Sequence, residues 1–427
     1  MGLADKSQYE YLFEALVKEF PALQKQPSGD NEPGVYFQYT GQPIEAKWVT
    51  GKDYPAFVLG NTSNGDTSGF YSGSDSQISE SFRTYMASIA PTNMQADPQY
   101  QTYQKQLDAL IGNGTTISTD ANNAFKTWLA QNPDYKKDFE GFGGFTTWLS
   151  AEGTAGPSWK TKIDQNTAQQ NQVIANQILL VKAIDQPLAD AKAKAIDPAY
   201  EASYVNSGVT IKAPLTNIQA LSGALSDWTS AAAGQYELDA TINAESKYVG
   251  SWNRNVKTTV TKKCCSVSTH TEIDYNRILQ DSKYNFNIKA VGARVFTANR
   301  GDWYNPAFMT ASNVEFPTGS RFTLKDYFGE NGMLAMIPVS FLVIYKPSVE
   351  ITISKTTYEQ TVKNYFDASA SVSFFGMEFS MAAGESKMVK EIDSETVKIT
   401  LDANSGPNAF PMLFGASSKS YFRPGLT

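Results

Sequence analysis

Apolar residues recur with helical spacing through most of the first half of the chain. Residues 7–20 predict an amphipathic helix that ends before Pro21, because their apolar positions keep to one helical face. These positions are Tyr9, Leu12, Phe13, Leu16, Val17 and Phe20. The same spacing returns from residue 80 to about residue 245, so this part of the chain is also predicted to be helical.

Three Asp-Pro or Asn-Pro pairs mark predicted helix starts. In each pair the Asp or Asn side chain can cap the helix, and the Pro fits the first helical position. The pairs are Asp97-Pro98, Asn132-Pro133 and Asp197-Pro198. The longest helix is predicted over residues 159–185 and ends before Pro187. At about 1.5 Å per residue it would measure about 40 Å, which suits a helical bundle.

The period changes to two after Trp252, which indicates β-strands with one apolar face. One alternating strand is predicted in each of the stretches 255–273, 284–290, 349–353 and 397–401. The apolar run at 334–345 is continuous, so it predicts a central strand that is buried on both faces. A short helix is predicted between strands at 355–366.

These patterns predict an α+β protein with a helix-rich N-terminal half, which includes the long helix, and a C-terminal antiparallel β-sandwich or sheet domain. Residues 1–80 form a first region, with a helix, short strands at 35–39 and 46–49, and a polar loop at 60–75. We expect this region to pack on the rest of the chain. Residues 81–250 are the predicted helical domain, and residues 251–427 are the predicted β-rich domain.

The side chains that most enzymes need are scarce. The only histidine is His270, and the only cysteines are the neighbours Cys264 and Cys265. Adjacent residues on a strand point to opposite faces, so these three residues make a poor zinc site. The chain has no Walker-type phosphate loop and no dinucleotide-binding glycine motif after a strand. We therefore predict a protein that is not an enzyme, with no catalytic, cofactor-binding or metal-binding residues.

Charge and targeting signals further limit the classes of partner and the location that we expect for the protein. Residues 1–250 carry 17 Lys and Arg against 27 Asp and Glu, whereas residues 251–427 carry 19 against 16, so no stretch has the basic surface of a nucleic-acid binder. The N-terminus has no signal-peptide pattern, and the longest apolar run, 333–345, is too short to span a membrane as a helix. We expect cytoplasmic synthesis without a signal peptide, with lysis or a dedicated export route if the protein acts outside.

The stretch 368–382 carries the most suggestive pattern. Small hydroxyl residues alternate with apolar ones, and the phase slips at Phe374. We predict that Phe375, Met377, Phe379 and Met381 contact a membrane or a partner, since a membrane-inserting hairpin needs one apolar and one polar face. The stretch 256–271 has a similar Thr/Ser-rich alternation. The alternative interpretation is a core strand with a bulge at the phase slip.

Three functional hypotheses follow. The first is a non-enzymatic, membrane-active protein of the pore-forming-toxin kind, whose β module contacts lipid or neighbouring protomers. The second is a self-assembling structural protein. The third is a carboxylate-based enzyme or a carbohydrate-binding protein, for which the plentiful Trp and Tyr residues are the only support. The expected partners are therefore the chain itself, as a homo-oligomer, and a membrane surface, with no nucleic acid and no small-molecule cofactor.

Overall fold

The protein is a mixed α+β structure, as the sequence predicts. The computed structural model describes residues 8–25, 33–43, 54–64, 73–135, 139, 144–206, 209–218, 220–231, 235–243, 277–278, 280–363, 371–374, 377–380, 385–402, 411–423 and 426. The predicted strand at 255–273 lies outside these residues. The predicted division of the chain into domains at residues 80 and 250 is a statement about independent folding, and it stays a prediction.

The helices lie mostly in the N-terminal half of the described chain. They are α1 (Gln8–Glu19), α2 (Tyr54–Asn61), α3 (Ile78–Ser88), α4 (Pro98–Gln131), α5 (Gly144–Ser150), α6 (Gly156–Lys182), α7 (Gln186–Ile196), α8 (Leu221–Ser230), α9 (Leu324–Phe328), α10 (Lys355–Thr357) and α11 (Glu385–Met388). A π turn, Tyr358–Val362, continues α10, in agreement with the short helix predicted there.

Two of the three predicted caps are confirmed, whereas Asn132 instead ends α4, where its side-chain amide donates a hydrogen bond to the Trp128 carbonyl. The Asp97 side chain accepts a hydrogen bond from the Tyr100 backbone N–H and starts α4. Asp197 caps the 3₁₀ helix Pro198–Tyr200, and Pro133 begins another 3₁₀ helix.

The prediction of the longest helix is wrong. Among the described helices, α4 has 34 residues, whereas α6 at the predicted position has 27. Gly, Thr, Ser and Asn residues between 112 and 123 dilute the apolar pattern of α4 and hide its length. Buried amides also join α4 to α6, as Gln177 donates a hydrogen bond to the Gln104 side chain at 3.0 Å.

The strands are β1 (Val35–Pro43), β2 (Thr62–Asn64), β3 (Gly73–Gln77), β4 (Ala90–Pro91), β5 (Glu201–Asn206), β6 (Val209–Pro214), β7 (Asn217–Ile218), β8 (Leu238–Asn243), β9 (Asn285–Asn299), β10 (Val314–Glu315), β11 (Met336–Ser354), β12 (Ser371–Phe374), β13 (Met377–Ser380), β14 (Val389–Glu391), β15 (Thr396–Asp402) and β16 (Met412–Ser420). Eight of them form one antiparallel sheet.

The 19-residue strand β11 organises this sheet. It pairs with β9 along one side, and with β16 and then β15 along the other. Strands β7 and β8 extend the sheet beyond β9, while β14 pairs with β15. Strand β1 pairs with β16, so the sheet contains residues from near both ends of the chain.

The two faces of the sheet are packed differently along its length. One face is apolar and forms the main core with Leu12, Phe13 and Leu16 of α1. Helix α8 covers the other face at the end where Trp228 stacks on Tyr345 with ring centroids 6.2 Å apart. Residues 341–345 of β11 are therefore buried on both faces, which confirms the predicted central strand.

A glycine lets α8 approach the sheet. A Cβ atom built on Gly292 of β9 would lie 2.1 Å from the Trp228 ring. We expect Gly292→Ala to lower the free energy of unfolding by about 1–3 kcal/mol, because the ring has to move out of a packed core. Urea unfolding would measure this.

Gly223→Ala in α8 is the matched control. Nothing lies within 4 Å of its added Cβ, and the residue is exposed. The control should gain about 0.5–1 kcal/mol from helix propensity. Equal stability of the Gly292→Ala variant and the wild-type protein would contradict the close contact.

Candidate functional site

The stretch predicted to contact a membrane or partner forms a β-hairpin. Strands β12 and β13 pair antiparallel, with Phe374 opposite Met377 and Val372 opposite Phe379. The chain therefore reverses direction between residues 374 and 377. The phase slip at Phe374 reflects this reversal and not a bulge within one continuous strand.

The hairpin register separates apolar from polar positions. Residues that face each other across an antiparallel pair lie on the same side of the sheet. Positions 372, 374, 377 and 379 on one side are Val, Phe, Met and Phe. Positions 371, 373, 378 and 380 on the other side are Ser, Ser, Glu and Ser. The hairpin is thus amphipathic, as predicted, although the turn places position 374 on the apolar side.

Phe379 fixes the hairpin to the core of the protein. Its side chain is 1% exposed and belongs to the core cluster that includes Tyr358, Val362 and Met388. Within the described part of the chain, β12 and β13 pair only with each other and not with the eight-stranded sheet. Side-chain packing, and not a shared hydrogen-bond ladder, therefore holds this hairpin in place.

Hydrogen bonds to Asp281 fix the end of β11, from which the chain continues toward the hairpin. Asp281 accepts hydrogen bonds from the Ser354 backbone N–H at 3.1 Å and from the Ser354 hydroxyl at 2.5 Å. Burial raises the pKa of Asp281, but hydrogen bonds from Ser354 and Thr357 outweigh it and leave the pKa below its usual value. The π turn Tyr358–Val362 follows at once. The end of β11 is thereby anchored just before the chain continues toward β12.

The other predicted residues are only partly placed. Met377 lies in β13, while Phe375 and Met381 are outside the described residues. Cys264, Cys265, His270 and the stretch 256–271 are outside them as well. Over the described ranges, no group of three or more His, Cys, Asp or Glu side chains is arranged to hold a metal ion. No described helix is both long enough and apolar enough to cross a membrane.

A cleft of about 570 Å³ was not predicted from the sequence. It lies between the end of α3, residues 311–325 and the C-terminal residues Arg423 and Leu426. Tyr85, Phe316 and Phe322 give it aromatic walls. No local motif joins these distant residues, so spacing in the sequence gives no signal for the cleft.

Lys192 of α7 is a buried amine without a carboxylate partner among the described residues. Its side chain is 0% exposed, and its Nζ donates hydrogen bonds to the backbone carbonyls of Met86 at 2.5 Å and Ala87 at 3.2 Å. Burial lowers the pKa of Lys192 to about 7. Because the amine is inaccessible to a substrate, we assign it a role in joining α7 to the end of α3.

Comparison with known proteins adds no family to these observations. No protein-family model, no curated protein and no solved structure matches the chain. Its function therefore has to be inferred from its own residues and geometry.

Proposed function

We propose that this protein is a non-enzymatic, membrane-active protein that contacts lipid through the hairpin β12–β13. The supporting observation is the attachment of the hairpin: its strands pair with each other, while Phe379 is buried in the core. Among the described strands the hairpin makes no backbone hydrogen bond to the eight-stranded sheet, so it can detach from the core without breaking one.

The energetics of lipid contact fit this attachment. Burial of a Phe or Met side chain contributes about 1.5–3 kcal/mol relative to exposure to water. The apolar interior of a membrane provides the same gain. Release of Phe379 into water is therefore unfavourable, whereas its transfer from the core to lipid is close to neutral. The Ser and Glu positions would remain toward water.

The length of the hairpin limits what it can do alone. Each described strand has 4 residues, whereas a membrane-spanning strand needs about 9–11. We therefore propose insertion into one leaflet as the first step. A pore would need further strands from neighbouring protomers and other chain segments, for which the Thr/Ser-rich stretch 256–271 is the sequence candidate.

Dye release from liposomes, together with negative-stain electron microscopy with and without lipid, tests this proposal. We expect lipid-dependent dye release, and rings or studs that appear only on liposomes. Tubes, sheets or regular particles without lipid, and no dye release, would instead favour self-assembly. Featureless monomers in both samples and no dye release would contradict both functions.

A further inference from the structure

The cleft at the end of α3 combines apolar walls with positive charge. Its volume of about 570 Å³ falls within the range of about 300–1,000 Å³ that is typical of small-molecule sites. Ile89, Val314 and Leu324 add aliphatic surface to the aromatic walls. These walls suit the apolar body of a small organic molecule.

Arg423 supplies one of the two positive charges of the cleft lining. One terminal nitrogen donates a hydrogen bond to the Met309 carbonyl at 2.7 Å, and the guanidinium carbon lies 4.9 Å from the centroid of the Phe328 ring. These contacts position the group. No acidic side chain of the described chain forms an ion pair with it, so its remaining N–H donors are available to an anion.

The neighbouring polar groups leave this charge uncompensated. Tyr85 donates its hydroxyl hydrogen to the Phe308 carbonyl at 2.8 Å, and burial keeps its pKa above the usual value, so it stays neutral. Lys325 adds a second cation to the lining, against the single carboxylate of Glu315. Glu315 accepts a hydrogen bond from the Gln95 amide at 2.5 Å. The cleft therefore has a net positive lining.

We propose that this cleft binds an amphiphilic organic anion, with its apolar chain or ring between the aromatic walls and its carboxylate on Arg423. A single-chain carboxylate represents this class. This binding function is separate from membrane contact by the hairpin, and either can hold without the other.

Isothermal titration calorimetry with dodecanoate, kept below its micelle concentration, tests the proposal. Dodecanol and dodecyltrimethylammonium have the same chain with a neutral or a positive head. We expect one dodecanoate per chain, bound at least tenfold more tightly than dodecanol, with no binding of the cation. Equal affinity for all three, or no binding of dodecanoate, would overturn the proposal.

Two variants locate the site. Arg423→Gln should weaken dodecanoate binding about tenfold to a hundredfold, because a hydrogen bond to a charged group is lost. Ala311→Phe should also weaken it by filling the cleft without any change in charge. Lys390→Gln, an exposed residue of β14, is the control for charge loss and should bind normally. Unchanged affinity in both cleft variants, with circular dichroism confirming their fold, would overturn the assignment.

An experiment with vesicles distinguishes binding of a free anion from binding of a lipid headgroup. Sedimentation with phosphatidylglycerol vesicles should give the same bound fraction for Arg423→Gln and the wild-type protein. If the variant loses vesicle binding while the wild-type protein binds no dodecanoate, the cleft binds lipid headgroups of a membrane and the proposal is wrong.

Discussion

Phe379→Ala should speed hydrogen exchange of the amides in residues 371–380 by about 100-fold to 4,000-fold. A buried Phe truncated to Ala typically costs about 3–5 kcal/mol, and each 1.4 kcal/mol is about tenfold in an opening equilibrium. Phe379 is 1% exposed in the main core, and the hairpin has no backbone pairing to the sheet among the described strands. The substitution should therefore lower the free energy that is needed to detach the hairpin from the core. Exchange measured by mass spectrometry on hairpin and sheet peptides would show it.

Phe286→Ala is the matched control, since Phe286 is 2% exposed in the same cluster but lies on β9 of the sheet. It should speed exchange in β9 and β11 and leave the opening of the hairpin unchanged. Identical opening free energies for hairpin and sheet, lowered together by either variant, would show one cooperative unit and contradict a separable hairpin.

Lys192→Met should remove a rise in stability between pH 7 and pH 10. Burial lowers the pKa of Lys192 from 10.5 to about 7, so over this interval the unfolded chain binds a proton that the folded chain does not. The free energy of unfolding therefore increases with pH, and the full cost of burying the charge is present below pH 7. Each unit of pKa shift corresponds to about 1.4 kcal/mol, which makes the expected rise several kcal/mol.

Urea unfolding of both proteins at pH 7 and pH 10 isolates this effect. The buried tyrosines Tyr85, Tyr100 and Tyr421, whose pKa values burial raises, titrate equally in both proteins and cancel in the difference. A wild-type minus variant difference that stays constant with pH would mean that Lys192 has an ordinary pKa. The lost hydrogen bonds to the Met86 and Ala87 carbonyls lower the stability of the variant by a nearly pH-independent amount.

The parts of the fold that the sequence predicts are those with a local signal. The alternation at 349–353 and 397–401 corresponds to β11 and β15, because each has one face in the core. The pairing of β1 with β16 has no such signal, since it joins residues from near opposite ends of the chain. The length of helix α4 has no clear apolar signal, because buried amides such as Gln104 replace apolar residues at its interface with α6.

The hairpin and the cleft also differ in how much of each can be predicted from the sequence. The alternation of apolar and polar residues predicts the amphipathic character of 371–380. The turn between 374 and 377, however, resembles a bulge until the strand pairing is known. The cleft depends on tertiary contacts alone, because Tyr85, Phe316 and Arg423 are far apart in the chain. Arg423 has no ion-pair partner among the described residues, and this becomes visible only when its neighbours in the fold are known.

Fluorescence scanning of the hairpin tests lipid contact most directly. Single cysteines carrying the environment-sensitive dye NBD are placed at positions 371, 372, 373, 374, 377, 378 and 380, one at a time, in a Cys264→Ser, Cys265→Ser background. Position 379 is left intact because its side chain is buried. With liposomes we expect NBD emission to rise at positions 372, 374 and 377 and to stay low at 371, 373, 378 and 380. No change at any position, or the same rise at all seven, would contradict insertion of the hairpin by its apolar side.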